Sequence, residues 1–100
     1  MDKNQRDTIK FYIYENIKIL ENTKVPKADK KISRGLIKEE VNAFITKYLC
    51  VKITGTTEEL QELEQDFKEI TAMLKSYLDK LQPKTDVEIY KVYRDILFII

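Results

Sequence analysis

The chain has 100 residues, of which 43% are apolar and 35% charged, and its formal net charge is +1. This apolar content excludes wholesale disorder, and two glycines, two prolines and one cysteine exclude collagen-like and disulfide-rich classes. A chain of this length forms one domain, so we expect residues 1–100 to be a single helical domain. No apolar run is long enough to span a membrane, and the charged N-terminus is unlike a signal peptide, which predicts a cytoplasmic protein. Cys50 lies between Leu49 and Val51, a setting typical of a buried thiol in a reducing compartment.

The first predicted helix covers residues 7–23, where apolar residues recur with helical spacing. Its main stripe contains Ile9, Tyr12, Ile13, Ile17 and Leu20. Pro26 ends this helix, and the lysine-rich stretch that leads to Ser33 is typical of a connection. Tyr14 falls off the stripe, and we expect this aromatic side chain to face a partner.

A second helix is predicted from Ser33 to Tyr48, with Ser33 as its N-cap. The segment from Tyr48 to Thr54 is rich in β-branched and aromatic residues, and its alternation also fits a strand. A strand there would give an alternative α+β fold, in which a long helix packs on a short sheet.

The third helix carries the clearest pattern, over residues 57–81. Its apolar residues repeat at alternating spacings of three and four, as in an a/d seam. The seam consists of Leu60, Leu63, Phe67, Ile70, Leu74, Tyr77 and Leu81. Thr56 or Thr57 is expected to cap this helix, and Pro83 ends it.

A fourth helix follows Pro83, with Thr85 or Asp86 as its cap. Its predicted core stripe contains Val87, Tyr90, Tyr93, Leu97 and Ile100, with a second apolar row beside it at Ile89, Val92, Ile96 and Ile99. This apolar arc is too wide for one bundle face, so we expect Phe98 and Ile99, with Val92 as a further candidate, to face a partner or a second copy. A central helix or a terminal strand would also explain the arc.

The preferred fold is therefore all-α, a small antiparallel four-helix bundle. In size and architecture this pattern resembles small helical proteins of Gram-positive bacteria and their mobile elements, such as bacteriocin immunity proteins and phage-encoded inhibitors. The resemblance concerns architecture alone, and it assigns no role to any residue.

Chemistry-bearing residues are sparse. The sequence has no histidine and one cysteine, and neither Gly35 nor Gly55 lies in a phosphate-loop spacing. We therefore expect no enzyme activity, no metal and no cofactor. The leading hypothesis is a protein that binds another macromolecule, as an inhibitor, immunity protein or regulatory adaptor.

Clustered cations offer a candidate binding site for an acidic partner. They are Lys24, Lys27, Lys30, Lys31 and Arg34. A solvated loop would show the same composition, and the run contains no aromatic residue to stack on bases, so nucleic acid is the less favoured partner. The rival hypotheses are a DNA-binding regulator that reads DNA with the second helix and dimerises through the seam, and a small structural subunit of a larger assembly.

Overall fold

The computed structural model describes residues 2–100, which form four α-helices joined by short loops. The helices are α1 (Lys3–Glu21), α2 (Lys27–Thr54), α3 (Thr57–Lys80) and α4 (Val87–Ile99). No strand occurs within residues 2–100. The all-α prediction is confirmed, and the α+β alternative is wrong because the segment from Tyr48 to Thr54 continues α2.

Three of the helices begin at side chains that accept hydrogen bonds from the free backbone N–H groups of the first turn. At α1 the backbone N–H of Gln5 donates to the Asp2 carboxylate at 2.8 Å, and the backbone N–H of Asp2 donates to the side-chain oxygen of Gln5 at 2.9 Å. At α3 the Glu59 amide donates to Thr56 at 3.1 Å, and at α4 the Ile89 amide donates to Asp86 at 3.2 Å. The sequence alternatives are therefore resolved in favour of Thr56 and Asp86.

The start of α2 differs from the prediction. The helix begins at Lys27, and the Lys30 amide donates to the Pro26 carbonyl at 3.1 Å. Ser33 is buried on the inner face of α2 and is not its N-cap. The lysine-rich stretch is helical because lysine and alanine favour helix, and because the proline at the boundary has no N–H group that would need a partner. Only Asn22 to Pro26 therefore connect α1 to α2.

Ion pairs fix the relative directions of the helices. Arg6 contacts Asp66 near the start of α1, and Glu21 contacts Lys80 near its end, so α1 and α3 run parallel. Consecutive helices are therefore antiparallel. Both α1 and α4 pack against α2 and α3, whereas within residues 2–100 the backbones of α1 and α4 do not approach each other, so these two helices lie at opposite corners. Consequently α4 forms a corner of the bundle and has neighbours on one side only.

The core is apolar and continuous, and the α3 seam lies at its centre. Phe67 is fully buried and meets Phe44 and Tyr48 edge to face, with ring centroids 5.9 and 5.4 Å apart. The other fully buried side chains come from all four helices; they are Ile13, Ile37, Val41, Ile70, Leu74, Ile89 and Ile96. The seam prediction for Phe67, Ile70 and their heptad neighbours is confirmed.

Two aromatic predictions and one thiol prediction are wrong. Tyr12 and Tyr90 are exposed, although they were expected in the core, while Tyr48 and Tyr77 are buried as expected. Cys50 is exposed because the inner face of α2 passes through Tyr48 and Val51, and this leaves position 50 outside. The apolar neighbours of Cys50 in sequence therefore do not cover it in space.

Candidate interaction surfaces

The apolar stripe that α4 buries is the second row of the sequence pattern. Ile89 and Ile96 are fully buried and Val92 is nearly so, while Val87 and Leu97 of the predicted stripe are exposed. The bundle buries the row of Ile89, Val92 and Ile96, which joins the hydrophobic core, and α4 packs against α2 and α3. The predicted phase of this helix is therefore wrong by about a quarter turn.

The outer face of α4 is apolar and exposed. At about 100° per residue, its members fall within an arc of roughly 100° on the side away from the buried row. They are Val87, Tyr90, Arg94, Leu97 and Phe98, and we call them the α4 outer face. Phe98 has 86% of its surface exposed, which is the largest value among the exposed large apolar residues of the described chain.

The two residues singled out at the end of α4 have different environments. Phe98 points away from the core and is exposed, and its contact with a partner stays a prediction. Ile99 is only partly exposed and packs against the core, and Val92 is buried, so neither belongs to the outer face. The residues that are exposed beside Phe98 are Val87, Tyr90 and Leu97, and not Ile99 and Val92 as predicted from the sequence.

Further apolar side chains lie at the same end of the molecule. α2 and α4 run parallel from the ion pair between Arg34 and Asp86. Leu49 follows Arg34 by 15 residues and Ile100 follows Asp86 by 14, so at 1.5 Å per residue both lie about 21 to 23 Å along the bundle. Leu49 and Ile100 are about half exposed, which makes this end of the bundle apolar on two adjacent helices.

The basic run becomes a helix face rather than a loop. Lys27, Lys31, Arg34 and Lys38 have spacings of four, three and four, so they lie on one side of α2, whereas Lys24 belongs to the preceding loop. Lys30 is half-buried, and Lys27, Lys31 and Lys38 are exposed. Within residues 2–100 none of these lysines forms a salt bridge. We call the exposed side chains at positions 27, 31 and 38 the lysine face.

Arg34 is engaged inside the protein. Its Nε donates to the Asp86 carboxylate at 2.7 Å, and the Tyr77 hydroxyl donates to the same oxygen at 2.7 Å. Burial alone would raise the pKa of Asp86, but hydrogen bonds from Arg34, from Tyr77 and from the Ile89 amide outweigh burial and hold that pKa below its usual value. These contacts connect α2, α3 and the start of α4. Arg34, the one arginine of the basic run, is therefore paired within the protein.

Three acidic residues of α3 form ion pairs with α1 and not with the basic run. Asp66 is buried and receives Arg6 at 2.7 Å and Lys10 at 2.8 Å, and Glu62 and Glu69 complete the network at 3.0 and 2.6 Å from the same two cations. Burial lowers the pKa of Lys10, but the hydrogen bonds from its ammonium to Asp66 and the neighbouring carboxylates outweigh this and raise that pKa above its usual value. Within residues 2–100, none of these three carboxylates forms an ion pair with the lysine face.

Tyr14 lies on a different side of the bundle from α4. It is partly exposed in a groove of about 660 Å³ between α1 and α3, which Ile17 and Met73 also line. The Lys18 ammonium lies 4.9 Å from the centre of the Tyr14 ring. Since the backbones of α1 and α4 lie apart at opposite corners of the described bundle, Tyr14 and Phe98 do not form one compact site.

The described residues contain no group of three or more His, Cys, Asp or Glu side chains placed to hold a metal ion. Within the same residues, no helix is both long and apolar enough to cross a bilayer. Comparisons with protein-family models, curated proteins and solved structures found no match to this chain. The fold and its surfaces define a small all-α four-helix bundle, and any function must be argued from those surfaces.

Proposed function

We propose that this protein is a non-catalytic, cytoplasmic interaction protein, and that it binds a protein partner through the α4 outer face. One observation carries the proposal: Phe98 is 86% exposed on a helix whose opposite side, at Ile96, is fully buried. Exposing a phenylalanine and three further large apolar side chains on a short helix is unfavourable in water unless another surface covers them. An inhibitor, an immunity protein or a regulatory adaptor would use such a face by occupancy.

The composition of this face favours protein over nucleic acid as its partner. Aromatic residues and arginine are enriched at protein interfaces, and here Tyr90, Arg94 and Phe98 lie side by side. Phosphate-binding surfaces are instead polar and strongly basic. The α4 outer face holds a single cation among four apolar side chains, which suits a protein surface.

The lysine face supports a second candidate, a polyanion-binding protein. Its three lysines lie on one side of α2 without carboxylate partners in the described chain, and a nucleic acid or an acidic protein would neutralise them. The DNA-binding hypothesis loses its dimerisation seam, since Phe67, Ile70 and Leu74 are fully buried within the monomer. Binding to duplex DNA of random sequence tests whether the lysine face binds polyanions. Submicromolar affinity at near-physiological salt, weakened by Lys31→Glu, would favour this second candidate.

Site-specific photocrosslinking in the native host tests the leading proposal. Benzoylphenylalanine at position 98 is expected to give a discrete crosslinked product, because that side chain would lie in the interface. The same group at position 31 of the lysine face is the matched control, since Lys31 is also exposed on a helix. No product from position 98, or the same product in equal yield from both positions, would overturn the proposal.

A further inference from the structure

We infer that a groove between α1 and α2 is a binding site for an arginine or lysine side chain, presented by a cationic segment of a partner protein. The groove has a volume of about 380 Å³ and is lined by side chains of both helices. It is separate from the α4 outer face, because α1 and α4 lie at opposite corners of the described bundle. The inference therefore goes beyond the proposed function and does not depend on it.

The walls of the groove are apolar and partly open to solvent. Ile32 is 62% exposed and Ile19 is 36% exposed. An aliphatic wall can cover the methylene stem of a long basic side chain while the charged end of that side chain reaches polar groups. The wall residues are Ile19 of α1, Val25 of the loop, and Ile32 and Leu36 of α2.

Two polar oxygens line this groove without a partner. Asn16 and Ser33 are both more than nine-tenths buried and belong to the groove lining. The Asn16 side-chain nitrogen donates to the Tyr12 carbonyl at 2.9 Å. The Asn16 side-chain oxygen and the Ser33 hydroxyl make no hydrogen bond within residues 2–100. Since no fully buried side-chain oxygen or nitrogen lacks a partner in the described chain, both oxygens are accessible from the groove and can accept hydrogen bonds from a cation.

A carboxylate at the groove supplies the charge that favours a cation. Asp29 lines the groove, is exposed and forms no salt bridge within residues 2–100. Glu40, which is also without a salt bridge there, lies about 20° from Asp29 around the α2 axis, whereas the lysine face lies roughly 140° or more away from both. Because the whole chain carries a net charge of +1, attraction for a cation must be local to this flank of α2.

The chemistry of the groove favours arginine on a protein segment over a free amine. The planar guanidinium has five N–H donors, which suit one carboxylate and two neutral acceptors better than the compact ammonium of lysine. An exposed carboxylate holds a free cation weakly, since ion pairs in water contribute little and binding costs translational freedom. A segment adds contacts along α1, where Tyr12 is 56% exposed and lies two turns before Ile19 on the same side.

Isothermal titration calorimetry of the full chain at near-physiological salt tests the inference. The probe is a capped amphipathic helical peptide with leucine on one face and arginine on the other. The matched probe replaces each arginine by citrulline, which keeps the shape and removes the charge. We expect the arginine peptide to bind with micromolar affinity and the citrulline peptide to bind at least about tenfold more weakly.

Variants of the groove show whether the peptide binds there. Asp29→Asn and Ile32→Ser are each expected to weaken the arginine peptide by about fivefold or more, because the first removes the charge and the second removes part of the wall. The matched controls are Asp95→Asn, at an exposed carboxylate of α4, and Ile53→Ser, at an isoleucine 83% exposed near the end of α2. Both controls are expected to change the affinity by less than about twofold, and circular dichroism checks that each variant is folded.

Three results would overturn the inference: no binding of the arginine peptide, equal binding of the citrulline peptide, or losses in the control variants as large as those in the groove variants. Agmatine, the decarboxylated form of arginine, supplies the same guanidinium without a peptide. Agmatine binding as tightly as the peptide would also overturn the inference, because the site would then take a free amine. Crosslinking from position 98 tests the α4 outer face separately, so either proposal can fail while the other stands.

Discussion

Replacing Asp86 perturbs the cluster that anchors α4. Its side chain is 5% exposed, and it accepts hydrogen bonds from Arg34, Tyr77 and the Ile89 amide. Removing one partner of a buried ion pair costs about 3 to 5 kcal/mol, and the 28% exposure of the Arg34 side chain reduces this to about 2 to 4 kcal/mol for Asp86→Asn. Asp86→Ala also removes the helix cap and should cost about 1 kcal/mol more.

Urea denaturation followed by circular dichroism measures these losses. A domain of this size is stable by about 5 to 15 kcal/mol, so either variant should move the urea midpoint clearly. Arg34→Met with Asp86→Asn completes a double-mutant cycle, for which we expect a coupling of about 1 to 3 kcal/mol. A free energy of unfolding for Asp86→Asn within about 0.5 kcal/mol of the wild type would refute the structural role of this cluster.

Three further predictions concern the core, the pH dependence and the thiol. Phe67→Ala should lower the free energy of unfolding by about 3 to 5 kcal/mol, whereas Gln65→Ala on the exposed side of α3 should change it by less than about 0.5 kcal/mol; equal losses would contradict the packing. The pKa of Asp86 is lower in the folded state than in the unfolded one, so its stabilisation is present above pH 4 and is lost as acid protonates it. Urea denaturation at several pH values should therefore show that the difference in free energy of unfolding between wild type and Asp86→Asn shrinks below about pH 4. A difference that does not depend on pH would contradict this. Cys50 should react with a thiol reagent in the native protein without unfolding, and protection until denaturation would contradict its exposure.

The buried face of a helix could be predicted from the sequence where the helix has a single apolar stripe. In α3 the residues around Phe67 leave a single narrow seam, and the structure buries that seam. In α4 two apolar rows compete, and hydropathy alone cannot tell which row the bundle selects. The selected row of Ile89, Val92 and Ile96 is set by the positions of α2 and α3, which depend on contacts distant in sequence.

Charge contacts were the least accessible to sequence reasoning. Arg34 pairs with Asp86 across 52 residues, and Arg6 pairs with Asp66 across 60. No local spacing marks such pairs, so Arg34 was grouped with the neighbouring lysines although its partner lies inside the protein. The exposure of Leu49 could have been predicted from the sequence. Leu49 directly follows the core residue Tyr48, and on a helix the next residue turns away from the buried face.

The central claim is that the α4 outer face is a binding surface that the folded monomer does not need. The free energy of unfolding of Phe98→Ser, measured by urea denaturation at submicromolar protein concentration with Ile96→Ser beside it, tests this most directly. We predict a loss of less than about 0.5 kcal/mol for Phe98→Ser and of about 3 kcal/mol or more for Ile96→Ser, since only the second side chain is fully buried. Comparable losses for both variants would place Phe98 in the core and contradict the account.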